Sequence, residues 1–213
     1  MKEIPRSSHG HFVVQMVICD SDEDPGQISR CGSIAEYRTR MLVSAEPDTV
    51  DVVEQVGPLR WTDKKNEGHS HYLDHVVHKA DGRRLGLTDK PYSRVSDEFG
   101  DEIAQVTRDG REKGVIDEVF LVTGYARDPV KLFNAELMRG CRDADAPADA
   151  EACAVIEPLE GAATLRALTE LVGMGPRGFR ALVRKISSGE LVLLHDEKIF
   201  HDSWVRRGGA QHD

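Results

Sequence analysis

No run of eighteen apolar residues occurs in this 213-residue chain, so no segment is suited to a membrane-spanning helix. The opening MKEIPRSSHGHF lacks the apolar stretch of a signal peptide. Cysteine is sparse: Cys19, Cys31, Cys141 and Cys153 are scattered and form no CxxC pair. Zinc-ribbon spacing is thereby excluded, and the expectation is reduced structural thiols in a cytoplasmic protein. Positive charge is also short, 28 Lys and Arg against 37 Asp and Glu, for a net charge of −9. That balance argues mildly against a partner as anionic as DNA, but binding depends on where the positive charge sits, so it must be read segment by segment. What is present, 39% hydrophobic and 31% charged residues, is the composition of a folded chain holding one large or two small domains.

HFVVQMVIC (11–19) reads as a strand and SDEDPGQ as a solvated loop. Beyond it, Ile34, Tyr37, Met41 and Ala45 recur at three- and four-residue steps, which predicts a helix with one apolar stripe. Glu46-Pro47 ends it, because a residue before proline resists the helical region. VDVVEQV (50–56), HYLDHVVH (71–78) and GRRLGLTDKPY (82–92) read as strands, the last two joined by an Asp81-Gly82 hairpin turn. A helix over about 97–110, a buried strand at 115–123 and a helix at 128–140 closed by Gly140 follow. This order predicts an α/β domain over 1–140, with an antiparallel hairpin at the centre of its sheet. CRDADAPADAEACA (141–154) reads as a linker or a marginal helix. Residues 155–213 then offer two helices separated by Gly173–Gly175 and a terminal β-hairpin around Asp196-Glu197, the layout of a winged helix–turn–helix.

Hydrolysis of a phosphodiester at neutral pH calls for a divalent metal that polarises the phosphate and lowers the pKa of an attacking water. Magnesium takes oxygen ligands, one or two of them carboxylates, and a nearby lysine offsets the developing charge. Glu36 on the first helix, Asp74 in HYLDHVV and Lys90 in GLTDKPY offer that set. The Asp81-Gly82 turn folds the strand of Lys90 back beside that of Asp74. By strand alternation Lys90 shares a face with Thr88, so Asp89, a tempting second ligand, points away.

These segments resemble the TnsA-type transposon-end endonucleases of the PD-(D/E)xK, or restriction-endonuclease-like, superfamily. The likeness lies in Glu36 within SIAEYRTRML, then VDVVEQVGPLRW, HYLDHVV and the hairpin into LTDKPY. It spans roughly residues 30–207 and rests on a few short motifs. It implies a restriction-endonuclease-like mixed sheet flanked by helices and followed by a winged-helix domain. It also implies Glu36 and Asp74 as ligands of Mg²⁺ or Mn²⁺, and Lys90 as the catalytic lysine. The expected activity is a DNA endonuclease of a mobile element or phage, with double-stranded DNA as partner and a transposase or recombinase as a further one. Gln55 falls in the segment where the family reads Glu-Gln-Pro, with Gly57 between it and Pro58. Thr88 departs from the pattern: it stands where the family has Glu or Gln, and threonine is a poor metal ligand. A catalytically silent DNA-binding protein on the same fold is therefore the alternative.

Structural roles compete for several of these residues. Ser33-Ile34-Ala35-Glu36 fits a capping box, Asp74 could mark an edge strand, and Lys90 alone would pass for a surface lysine. His69, His71, His75 and His78 invite zinc, but no strand face collects three of them with Asp74. Arg177, Arg180 and Arg184, with Lys185 beside them, form a basic helix face that no acid interrupts between 176 and 189. It reads either as a solvated face or as phosphate and groove contacts.

Overall fold

The computed structural model describes residues 12–18, 26–62 and 66–209. The ends of the 11–19 strand, Cys19 among them, and most of the SDEDPGQ loop lie outside the described residues. The chain divides into two compact units, residues 1–127 and 128–213.

In the N-terminal unit, β1 (Val14–Ile18) pairs antiparallel with β2 (Gln27–Cys31). There follow α1 (Ile34–Ser44), β3 (Thr49–Thr62), β4 (Gly68–Lys79), β5 (Arg84–Asp89), α2 (Asp97–Glu112) and β6 (Glu118–Val122). The last four strands form one mixed sheet in the order β3-β4-β5-β6, antiparallel except for the parallel β5–β6 pair. A parallel pair needs a long crossover, and α2 supplies it. Ser96 caps α2, Asp97 and Glu98 occupy its first turn, and Phe99 and Val106 are buried on its inner side. The central β4–β5 hairpin turns at Asp81-Gly82 as the sequence predicts, with Gly82 at φ +85°, a conformation that favours glycine.

Adjacent residues of β4 serve the two faces of this sheet. Leu73 and Val76 pack with Leu59, Val106 of α2 and Ile116, while Val77 packs with Val52, Leu87 and Val43 of α1. The unit is thus an α/β domain with a four-stranded mixed sheet flanked by helices.

The C-terminal unit runs α3 (Pro129–Gly140), α4 (Ala146–Ile156), β7 (Ala162–Thr164), α5 (Leu165–Val172), α6 (Pro176–Ser187), β8 (Leu191–Leu193) and β9 (Trp204–Arg207). Its strands form a small antiparallel sheet in the order β7-β9-β8. Leu165, Leu168, Leu182, Leu191, Ile199 and Val205 make its core.

Two features differ from the sequence reading. The stretch that reads as a linker or a marginal helix is largely the ordered helix α4, so the linker alternative fails. Asp145 caps it, accepting the Ala148 N–H, and Ala148 and Ala152 are fully buried. The alanines that make the segment look featureless are what let helices approach closely. The helix at 128–140 falls in this second unit, where Leu137 and Met138 pack on its core beside Cys141. The division therefore precedes α3.

Candidate functional site

Glu36 occupies the third position of α1, and its local chemistry is that of a cap. Its backbone N–H donates to Ser33 Oγ (3.2 Å), while its carboxylate accepts from the Gly32 N–H (2.7 Å) and from Ser33 Oγ (3.0 Å). The amide taken is one residue earlier than an ideal capping box uses. The same carboxylate also faces the sheet. Gln55 Nε2 lies 3.3 Å from Glu36 Oε2 and 3.4 Å from Asp74 Oδ1. Both distances are long for N–H···O bonds, as befits one amide held between two acceptors. The other oxygen of Asp74 accepts the Asp89 backbone N–H at 2.8 Å. A helix, a bulged strand and a central strand thus bring two carboxylates within reach of a single amide.

Gln55 is placed there by an irregularity. It lies opposite Asp74, between the Glu54–His75 and Val56–Leu73 pairs, just before the register shifts on the way to Leu59–His71. Its φ is +52°, unusual for a residue with a Cβ, and the residue is 7% exposed. Bulges and left-handed residues of this kind re-aim side chains and collect at functional sites. Neighbouring Glu54 accepts from Ser29 Oγ and from the Arg30 N–H (3.2 Å) and lies in an ion pair with Arg40, 3.3 Å from Nε, tying β2 and α1 to β3.

Thr88 and Asp89 go to opposite sides of β5, as alternation requires. Asp89 is buried toward α1, where Oδ1 accepts from Thr39 Oγ1 (2.7 Å) and from the Arg127 guanidinium. Burial pushes its carboxyl up from the usual range, against the pull of Thr39 and Arg127. Thr88 faces α2. Its Oγ1 is 3.1 Å from His71 Nε2, and His71 Nδ1 is 2.9 Å from Glu102 Oε1. Nδ1 faces the Glu102 carboxylate, and Nε2 lies within hydrogen-bond reach of the Thr88 hydroxyl, which can either donate or accept. A Thr88–His71–Glu102 chain therefore runs from β5 through β4 to α2.

Lys90 turns toward α2. Its backbone N–H bonds Val122 O (3.0 Å), and Nζ rests 3.3 Å from the centre of the Phe99 ring. Such a cation–π contact holds an ammonium with about 0.5–2 kcal/mol, weak enough to be exchanged for an anion.

The four histidines disperse. His69 stacks on Trp61, His71 joins Thr88, His78 pairs across the sheet, and His75 is buried. Among the described residues no group of three His, Cys, Asp or Glu side chains converges as a metal cage. A magnesium-type site does not need one, because one or two carboxylates with water and phosphate suffice. Glu36 and Asp74 fit that donor set. Cys31 and Cys141 are buried free thiols, and burial, then Glu54, pushes Cys31 up to about 12.

The basic face of α6 is engaged within its own unit. Arg177 grips Asp145 through Nε and Nη2, each 2.7 Å away, and Arg180 donates to Gly140 O (2.9 Å). Arg184 bonds Asp149 Oδ1 and Cys141 O (2.8 Å each), and Lys185 reaches both oxygens of Glu190 (3.0 Å each). The partner acids lie outside 176–189, where a local charge count does not reach. Arg177 and Arg180 are set toward the surface of α6, whereas Arg184 and Lys185 have mostly buried side chains.

Sequence reasoning does not find the Thr88–His71–Glu102 chain or the bridging role of Gln55. The first joins residues distant in sequence, and the second depends on a bulge that alternation does not reveal. Fold and site together define an α/β domain with a paired-carboxylate site at the centre of its sheet. No family model matches the chain, and no curated protein matches it at a significant level.

Proposed function

We propose that this protein is a metal-dependent DNA endonuclease of a mobile element or phage, built on a restriction-endonuclease-like domain and acting in the cytoplasm. The observation that carries this reading is the convergence of Glu36 and Asp74 on one amide, that of Gln55, from separate elements. Glu36 and Asp74 would hold the ion. Bound there, Mg²⁺ or Mn²⁺ would polarise the scissile phosphate and lower the pKa of an attacking water. The remaining roles fall to the chain. Gly32 and the Asp89 backbone fix the two carboxylates by donating to them, so little reorganisation is needed when charge develops. Lys90 leaves Phe99 to meet the phosphate.

The C-terminal unit supports DNA placement. The order β7-α5-α6-β8-β9, with β9 between the other two strands, is the arrangement a winged helix uses. In this reading α6 and the β8–β9 wing approach double-stranded DNA, and a transposase or recombinase is the further partner. No helix among the described residues is long and apolar enough to cross a membrane.

A second reading, a silent DNA-binding protein, is favoured by Thr88, whose hydroxyl is committed to His71 where a metal-binding acid would be expected. A supercoiled-plasmid nicking assay with Mg²⁺ and Mn²⁺ separates the two. The endonuclease reading expects metal-dependent nicking; DNA binding without nicking at high protein leaves only the silent reading.

The side-chain pairing on α6 makes a further prediction. Arg177→Ala should lower DNA affinity and flatten the dependence of log K on log salt by about 0.9 for each phosphate it no longer neutralises. Asp145→Asn keeps a capping side chain on α4 but releases Arg177, and should tighten binding. Equal salt slopes for all three proteins in a fluorescence-anisotropy titration would remove α6 from the interface.

A further inference from the structure

We propose that Gln55 is a third ligand of the divalent cation at Glu36 and Asp74, through its side-chain carbonyl; this rests on the paired-carboxylate reading above. The amide head already lies against both acids, at 3.3 and 3.4 Å from Nε2. Its other end is anomalous. Oε1 is buried and has no hydrogen-bond partner, although buried amide oxygens ordinarily find one. The residue carrying it is held at φ +52° just before a break in the β3–β4 register. A glutamine that only spaced two strands apart would need neither the unusual backbone nor the unmatched oxygen.

The chemistry of the three groups explains both orientations of the amide. Two carboxylates without a cation offer only acceptors, so the amide turns its N–H groups to them and stands where positive charge is wanted. A divalent ion reverses the requirement, because Mg²⁺ and Mn²⁺ take oxygen. The terminal torsion of glutamine is broad and roughly two-fold, so a half-turn exchanges Nε2 for Oε1 without moving the backbone. Gln55 thus serves as a hydrogen-bonding placeholder in the metal-free site and as a neutral oxygen ligand in the loaded one. It supplies the extra oxygen donor that Thr88 does not.

The test is isothermal titration of the full chain with Mn²⁺, without DNA and independent of turnover, using wild type, Asp74→Asn, Gln55→Ala and Gln55→Glu. Wild type should bind one ion, and Asp74→Asn should lose it. Gln55→Ala should bind about ten-fold or more weakly, in the range seen when groups supporting a metal site are removed. Gln55→Glu should bind more tightly than wild type and melt lower without metal, since three carboxylates then crowd one point. In ¹H–¹⁵N spectra the Gln55 side-chain amide pair should shift on adding Mg²⁺. Loss of binding in Asp74→Asn with unchanged affinity in both Gln55 variants would overturn the ligand role and leave the paired-carboxylate site standing. Failure of wild type to bind Mn²⁺ would overturn both.

Discussion

Asp74→Asn is expected to slow plasmid nicking by at least about 100-fold at saturating Mg²⁺, since even groups that only support metal ligands contribute 10–100-fold. The substitution is nearly isosteric, and an asparagine oxygen can still accept the Asp89 backbone N–H that Asp74 Oδ2 accepts at 2.8 Å. What it removes is one of two negative charges facing the Gln55 amide. In the metal-free protein those charges repel, so neutralising one should leave the melting temperature unchanged or raise it. Cleavage falls while stability holds or rises, a combination that a simple folding defect does not give. A variant that nicks at the wild-type rate, or one that merely unfolds, contradicts the placement of Asp74 at the ion.

The second large effect is on stability in acid and comes from His75. This ring is 1% exposed, neither nitrogen has a hydrogen-bond partner, and Asp89 Oδ2 is 3.9 Å from Nδ1. That distance is too long for a hydrogen bond, and the ring is neutral. Burial first, and the charge of Arg40 second, depress its pKa from 6.5 to about 3. Unfolded chains take up a proton at this position below about pH 6.5, and the fold does not until about pH 3. Through that window the unfolded state binds more protons, so stability falls as pH falls and is flat above it. The full span corresponds to a loss on the order of 5 kcal/mol.

Asp89 works the opposite way. Burial raises its pKa, so the fold takes its proton more readily, but Thr39 and Arg127 cancel part of that shift. His75→Leu removes the buried ring, and its melting temperature should lose most of the acid dependence of wild type between pH 6.5 and pH 3. Parallel curves for the two proteins would show that His75 is not the group responsible.

The sequence is most informative where local rules act. Asp81-Gly82 demands a hairpin and forms one. Period-two alternation separates Thr88 from Asp89, which turn to α2 and α1 respectively. Ser33 and Glu36 cap α1, yet capping and site membership are compatible, because one carboxylate oxygen serves the cap and the other is shared between the cap and Gln55.

What stays hidden depends on pairings distant in sequence or on irregular backbone. Nothing in VDVVEQV announces that Gln55 sits at φ +52° beside a register shift. β2 is short, half polar and preceded by an acidic stretch, so the sequence does not mark it as a strand. α4 resembles a linker because Ala, Asp and Pro together suggest a loop. In place, Asp145 caps the helix, Pro147 sits in its first turn and the alanines pack against the unit core. The acids that meet Arg177 and Arg184 lie in that same stretch, so the hidden helix and the overstated basic face have one cause.

The most direct measurement is a crystal of the full chain soaked in Mn²⁺, with the ion located by its anomalous signal. The account predicts a single strong peak in direct coordination with both Glu36 and Asp74. No peak between them at saturating Mn²⁺, or an ion held by other side chains with these two acids still hydrogen-bonded to Gln55, would contradict it.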